Sequence, residues 1–375
     1  MANDKDFILK NAVEVGGPTN VTLGTITSSD IDLSTGNYFS DTLAANTTYT
    51  ISNAGDVQSF QVEVTGGTSN DISLLTYDNV TFSVASQDTA PRDITFNDDG
   101  TKMYIAGAAN DNICQYSLTT AYDISTASYD SVSFSQLSQE SSVQDVEFKP
   151  DGTKMYIIGG GTDTVFQYSL STAWDLSTAS YDSVSFSTNS VDTLPTGMVF
   201  KPDGTKMYLT GQASDNVYSY TMSTAWDVST LSYDSVFLYV GGEETSPTDL
   251  HFSSDGIKLY VLGNGTDVIH SYTLSTAWDI STATSDSSSF SVDAQEGTMQ
   301  GMFFTPEKVI TVGSGIDQVY SYSLSSATLT WPSSIEWAGG VSPSAPAVGE
   351  TDVFTIITDD GGTTYTGVKT ADNLS

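Results

Sequence analysis

The chain has 375 residues and carries 46 Asp plus Glu against 11 Lys plus Arg, a formal charge of −35. Such a balance leaves no basic patch for phosphate, which excludes nucleic acid and an anionic membrane surface as partners. A single cysteine, Cys114, excludes an internal disulfide. No apolar run is long enough to cross a bilayer, and the start, Met1-Ala-Asn-Asp-Lys-Asp-Phe7, lacks the apolar core of a signal peptide. The expectation is a protein made and kept in the cytoplasm or released by lysis.

Residues 1–21 are polar and broken by Gly16-Gly17-Pro18, and read as an N-terminal arm. Residues 22–67 pattern as strands near Gly24–Ile31, Thr47–Ser52 and Ser59–Val64, and Gly66-Gly67 marks a boundary. Residues 68–326 are a repeat block. Phe96, Phe148, Phe200, Phe252 and Phe304 recur at a spacing of 52. Asp111, Asp163, Asp215 and Asp267 keep that spacing, and Asp317 comes two residues early, a trimmed loop.

One repeat reads as four strands. Val143–Phe148 leads through Pro150-Asp-Gly-Thr153 to Lys154–Ile158, and Asp-Gly supplies the positive φ of a tight hairpin. Val165–Leu170 and Ser183–Ser187 follow; the last alternates apolar and polar, the period of a half-buried strand. Four antiparallel strands in about 50 residues is the pattern of a propeller blade. The fourth strand occurs one place early, first at Tyr77–Phe82, so it must pair with the C-terminal strands of 300–324. Such pairing closes a ring and removes two exposed edges. The expected fold is all-β: a five-bladed β-propeller over 68–326, inserted into a small β-sandwich or jelly-roll-like domain built from 22–67 and 327–375. Neither flank alone is long enough for a core.

One slot on the first strand of each repeat reads Asp93, Asp145, Gly197, Asp249 and Gly301. Three carboxylates around the channel can hold Ca²⁺ or another hard cation; the plainer alternative is that each caps a turn or faces water. Trp174, Trp226 and Trp278, with Tyr122 in the first copy, can serve as aromatic sugar platforms, though packing between blades is the commoner role. Recurring aspartates of the Asp163 and Asp175 type read as turn residues, because a catalytic site needs asymmetry. Arg92, Glu140, Glu147, Glu243, Glu244 and Glu296 read as charges outside the repeat with no pairing, and Glu243-Glu244 as a solvated loop. Cys114 and His270 occupy a slot that Phe166, Tyr218 and Tyr320 fill elsewhere, which favours packing over a reactive thiol or metal ligand.

The segment Pro150-Asp-Gly-Thr-Lys-Met-Tyr156 is similar to propeller repeats of bacterial surface and periplasmic proteins. In the flanks, Ile31-Asp-Leu-Ser-Thr-Gly-Asn-Tyr-Phe39, Ser59–Gly66, Leu329-Thr-Trp-Pro332 through Gly340, and Asp360–Tyr365 resemble structural and tail-fibre-like proteins of marine tailed phages. The resemblance implies a virion component made in the host cytoplasm, contacting other virion proteins through 1–67 and 327–375, with a homotrimeric mount as in many fibres. On that reading the chain is not an enzyme. Its propeller is a binding or decorating head for a host surface glycan or for the capsid or tail, without cofactor apart from Ca²⁺. The alternative is a glycosidase-like enzyme with carboxylates at the channel mouth.

Overall fold

The computed structural model describes residues 22–43, 46–66, 71–305, 307–346 and 350–374. The arm expected at 1–21 lies outside them. Two compact units are formed, one from Met1–Ser69 with Ser326–Ser375, the other from Asn70–Ser325.

The second unit contains five four-stranded antiparallel sheets, each a propeller-type blade. Blade 1 spans residues 91–135, blade 2 spans 143–187, blade 3 spans 195–239 and blade 4 spans 247–291. Blade 5 joins Met299–Phe304, Lys308–Gly313 and Gln318–Ser323 to the early strand Thr76–Ser83. There Val319 sits opposite Phe82 and Tyr322 opposite Tyr77. Asp78 fastens this seam, accepting from Lys308 Nζ at 2.7 Å, Ser321 Oγ at 2.7 Å and Ser323 Oγ at 2.6 Å. In every other blade the equivalent lysine reaches the equivalent aspartate: Lys102–Asp130, Lys154–Asp182, Lys206–Asp234 and Lys258–Asp286.

Five apolar clusters lie between successive blades, and one of them unites Ile310, Val312 and Val319 of blade 5 with Ile94, Ile105 and Tyr116 of blade 1. The sheets therefore close on themselves. Tyr104, Tyr156, Tyr208 and Tyr260 are buried at these seams, each ring contributing about 1.5–3 kcal/mol of burial. Tyr104, Tyr156 and Tyr208 also donate their hydroxyls to the carbonyls of Trp174, Trp226 and Trp278 in the next blade.

In the first unit the two flanks share one sheet. Gln58–Thr65 pairs antiparallel with Thr351–Thr358, placing Phe60 opposite Ile356 and Val62 opposite Phe354. The sheet runs, in spatial order, Ile335–Trp337, Tyr365–Leu374, Thr351–Thr358, Gln58–Thr65 and Tyr38–Thr42. Alternation along Gln58–Thr65 buries Phe60, Val62 and Val64 and leaves Gln61 and Glu63 outward. Those residues share a core with Phe39, Trp331, Trp337, Phe354 and Tyr365. The expected sandwich or jelly roll is not seen among the described residues. Beside the five-stranded sheet stand only a three-stranded sheet and a two-stranded pair. Their strands are two or three residues long, too short to make a second full layer.

Candidate functional site

The innermost strands of the blades define the axis. Each carries a bulge at its start, between Pro91 and Asp93 in blade 1 and at the equivalent place in blades 2 to 5. A bulge re-aims consecutive side chains, and here two successive slots meet across the axis. The outer of these holds Arg92, Gln144, Thr196, Thr248 and Gln300, with Arg92 donating to Gln300 Oε1 at 2.8 Å. The inner holds Asp93, Asp145 and Asp249. One carboxylate oxygen from each lies within 4.8 Å of the others, and all three side chains are buried.

These aspartates neither cap turns nor face water. Asp93 accepts from Val146 N at 3.0 Å, Asp145 from Met198 N at 2.6 Å and Asp249 from Met302 N at 2.7 Å, each the backbone of the following blade. The two glycines of the slot mark the remaining seams. A Cβ on Gly197 would stand 2.8 Å from the Asp249 Cα, and one on Gly301 would stand 2.7 Å from the Asp93 Cα. No side chain fits there, so the ring carries three carboxylates. Burial pushes Asp93 up to about 7. Burial and the neighbouring acids, Asp93 first among them, raise Asp145 and Asp249 well above the usual carboxylate range.

Two residues further along each strand, on the same face, come Thr95, Glu147, Val199, His251 and Phe303. Glu147, His251 and Phe303 are partly exposed, so this layer opens towards one mouth. Glu147 is pushed up to about 8 by burial and the Asp93 charge. His251 is pulled down to about 4 by burial and stacks on Phe304 with ring centres 4.9 Å apart. Sequence reading set Glu147 aside as an unpaired charge and passed over His251. The available signal was position: both stand two residues past the Asp slot on an inner strand, where blades 1, 3 and 5 carry Thr95, Val199 and Phe303.

Other expectations are corrected. Glu140, Glu244 and Glu296 do belong to the repeat, with Asp88 and Asp192. All five are buried and clamp a loop. Glu140 takes Ser142 N at 2.8 Å, Gly161 N at 2.9 Å, Thr162 N at 3.1 Å and Thr162 Oγ1 at 2.8 Å. Glu244 clamps Ser246, Gly265 and Thr266 in the same way, while Glu243 is exposed. Trp174, Trp226 and Trp278 are packed in the blade seams, Trp174 against Phe148 at 5.2 Å and Trp226 against Phe200 at 5.5 Å. Trp278 also lines a cleft of about 320 Å³ with Lys201, Lys206 and Asp234. Asp175 caps a single 3₁₀ turn through Ser177 N, and Asp163 sits in a turn at φ +50°. Cys114 is buried, its thiol pushed up to about 11 by burial and the Asp88 charge. His270 is half-buried.

A sequence family described as lactonase, 7-bladed β-propeller, matches residues 135–291. That is less than half of the chain, and it covers blades 2 to 4. No curated protein matches. Among solved structures, a candidate 6-phosphogluconolactonase of Bacteroides fragilis is similar at 16% identity over 54% of this chain and 55% of its own, with a TM-score of 0.39. The periplasmic gluconolactonase of Pseudomonas aeruginosa shows 17% identity over 64% and 70%, with a TM-score of 0.37. Virginiamycin B lyase of Staphylococcus aureus shows 12% identity over 67% and 99%, with a TM-score of 0.39. The chain spans about half the length of the Bacteroides protein. At these scores the likenesses say nothing about activity. The sequence match nevertheless overturns the expectation of a non-enzymatic virion protein with a decorating or adhesive head, because the repeats resemble those of an enzyme family.

Proposed function

We propose that the blade unit is a hydrolase for a sugar-derived cyclic ester, acting at the channel mouth formed by Thr95, Glu147, Val199, His251 and Phe303. The blades form a five-bladed ring inserted into the flank unit. One observation carries it: this layer breaks the repeat with a single carboxylate and a single imidazole beside a buried acid cluster. A propeller offers the same backbone five times, so chemistry has to come from slots that differ. The lactonase family match over blades 2 to 4 supports the reaction class.

Opening a lactone requires a base to deprotonate water, a polar wall to orient the ring, and an acid to return the proton to the leaving alkoxide. Glu147 is the only carboxylate in the layer and takes the base and acid roles in turn. His251, neutral and stacked on Phe304, offers a hydrogen bond to a substrate oxygen, and Phe303 offers an apolar face. The test is a panel of five- and six-membered sugar lactones with the whole chain. Glu147→Gln is expected to lose about 100-fold or more in kcat/KM with an unchanged melting curve. Absence of turnover on every lactone, or full activity in Glu147→Gln, refutes the reading.

A further inference from the structure

We infer that Asp93, Asp145 and Asp249 form a built site for one hard divalent cation on the propeller axis, with calcium the best fit. Three carboxylates crowd within 4.8 Å inside the protein, and none has a lysine or arginine ion pair among the described residues. Like charges at that range in a dry channel repel strongly. Either protons or a cation must neutralise them.

The surrounding donors favour a cation. Val146 N points at Asp93, Met198 N at Asp145, and Met302 N and Leu250 N at Asp249. Backbone N–H groups aimed at carboxylate oxygens favour the ionised form, most of all at Asp249, where both oxygens accept. Asp145 Oδ1 is buried and has no hydrogen-bond partner at all. A buried carboxylate oxygen left bare is costly unless something positive meets it.

The geometry also sets the kind of ion. Calcium binds oxygen at about 2.3–2.6 Å, so two of its ligands stand at most about 5 Å apart, the scale of this cluster. All donors are oxygens, which disfavours zinc or copper. Three protein oxygens leave room for water on the cation. Gly197 and Gly301 keep the other two seams clear of side chains, so the ion sits off the fivefold pattern towards blades 1, 2 and 4.

The inference stands apart from the hydrolytic reading, since metal content is measured without a substrate. The whole chain is stripped with a chelator, desalted, and titrated with CaCl₂ and separately with MgCl₂. Titration is followed by calorimetry and melting temperature, and bound metal by mass spectrometry. The expected result is a saturable rise in melting temperature and about one tightly held calcium per chain, above weak binding by the acidic surface. Asp145→Asn and, independently, Asp249→Asn should weaken that calcium about tenfold or more. Asp182→Asn, an acid of the outer strands, should leave it unchanged. If one axial variant fails to fold, the other and the wild-type stoichiometry still decide. No calcium-dependent shift in the wild type overturns the inference. So does equal calcium binding by both axial variants, or an Asp145→Asn protein that is stabilised while the wild type binds no metal, which would assign the cluster to protons.

Discussion

The loop clamps make a sharp prediction about matched sizes. Where the clamping acid is Glu140, Glu244 or Glu296, the residue it embraces is Gly161, Gly265 or Gly315. Where it is Asp88 or Asp192, the equivalent residue is Ala109 or Ala213. The structure explains the match. A Cβ on Gly161 would collide with Glu140 Oε1, and one on Gly265 or Gly315 with the acid that holds it. Asp88, one methylene shorter, reaches Ala90 N at 2.7 Å, Ala109 N at 3.2 Å and Asn110 N at 2.9 Å with the methyl in place.

Gly161→Ala therefore forces the Glu140 carboxylate out of its pocket. Overpacking costs about 1–3 kcal/mol, and each charge-assisted hydrogen bond lost adds about 1.5–3 kcal/mol. A total near 3 kcal/mol is expected, a fall of roughly 6–12 °C in the melting of the blade unit. Glu140→Asp alone withdraws the carboxylate from its four donors and should cost about 1–2 kcal/mol. The double variant rebuilds the Asp88–Ala109 arrangement and should return to within about 1 kcal/mol of wild type, a coupling of about 3–5 kcal/mol. The four proteins are compared by thermal and urea unfolding. Additive losses in the double variant would refute the size-matching argument.

Further outcomes follow from the seams and outer strands. Trp226→Ala should destabilise by about 3 kcal/mol, because its ring fills the seam against Phe200 and Tyr156; an unchanged melting curve would mark the ring as a free platform. Asp78→Ala should lower stability by about 1–3 kcal/mol and expose residues 71–83 to protease, because it cuts the fastening between the chain's early and late strands. Proteolysis matching that of Asp130→Ala would speak against a special seam. Burial alone would raise Asp78, Asp182, Asp234 and Asp286, but hydrogen bonds from their lysines and neighbouring side chains outweigh it and hold all four below the usual carboxylate range. Their folded affinity for protons is thus below the unfolded one, so their stabilisation is full above about pH 4 and is lost as pH falls further. Asp182→Asn should flatten that acid limb in a pH series of melting temperatures. In blade 3, Phe237 and Tyr239 are 56% and 59% exposed where other blades carry Ser133 and Ser135 or Ser185 and Ser187. Replacing both with serine should change stability by no more than about 0.5 kcal/mol, read by urea unfolding.

The blades were legible because they repeat. A spacing of 52, an Asp-Gly turn and an alternating outer strand each report local backbone geometry, and the early strand at 77–82 could be paired by counting. The clamps were missed for an instructive reason. Asp fills the slot at residues 88 and 192 and Glu at 140, 244 and 296, so a search for identical residues hides a slot defined by charge and burial. The compensating glycine or alanine lies about twenty residues away and becomes meaningful only once the loop folds back. His251 was passed over because a lone histidine carries no periodic signal, whereas strand register places it on the axis. The flanks, whose phage-like resemblance drove the functional expectation, lie outside the family match at 135–291.

Symmetry itself separates structure from chemistry in this ring. A residue present in every blade, such as the Lys154–Asp182 pair or the Glu140 clamp, meets the same need five times and is explained by that need. The axis behaves differently, because side chains from all blades converge there and cannot all fit. Asp93, Asp145 and Asp249 take the space, and Gly197 and Gly301 yield it. Once that pattern is broken, the slots beside it are no longer equivalent. Glu147 follows an aspartate whose neighbour across the next seam is a glycine, and His251 follows one with a glycine on both sides. Five sheets of one pattern thereby produce one unequal centre.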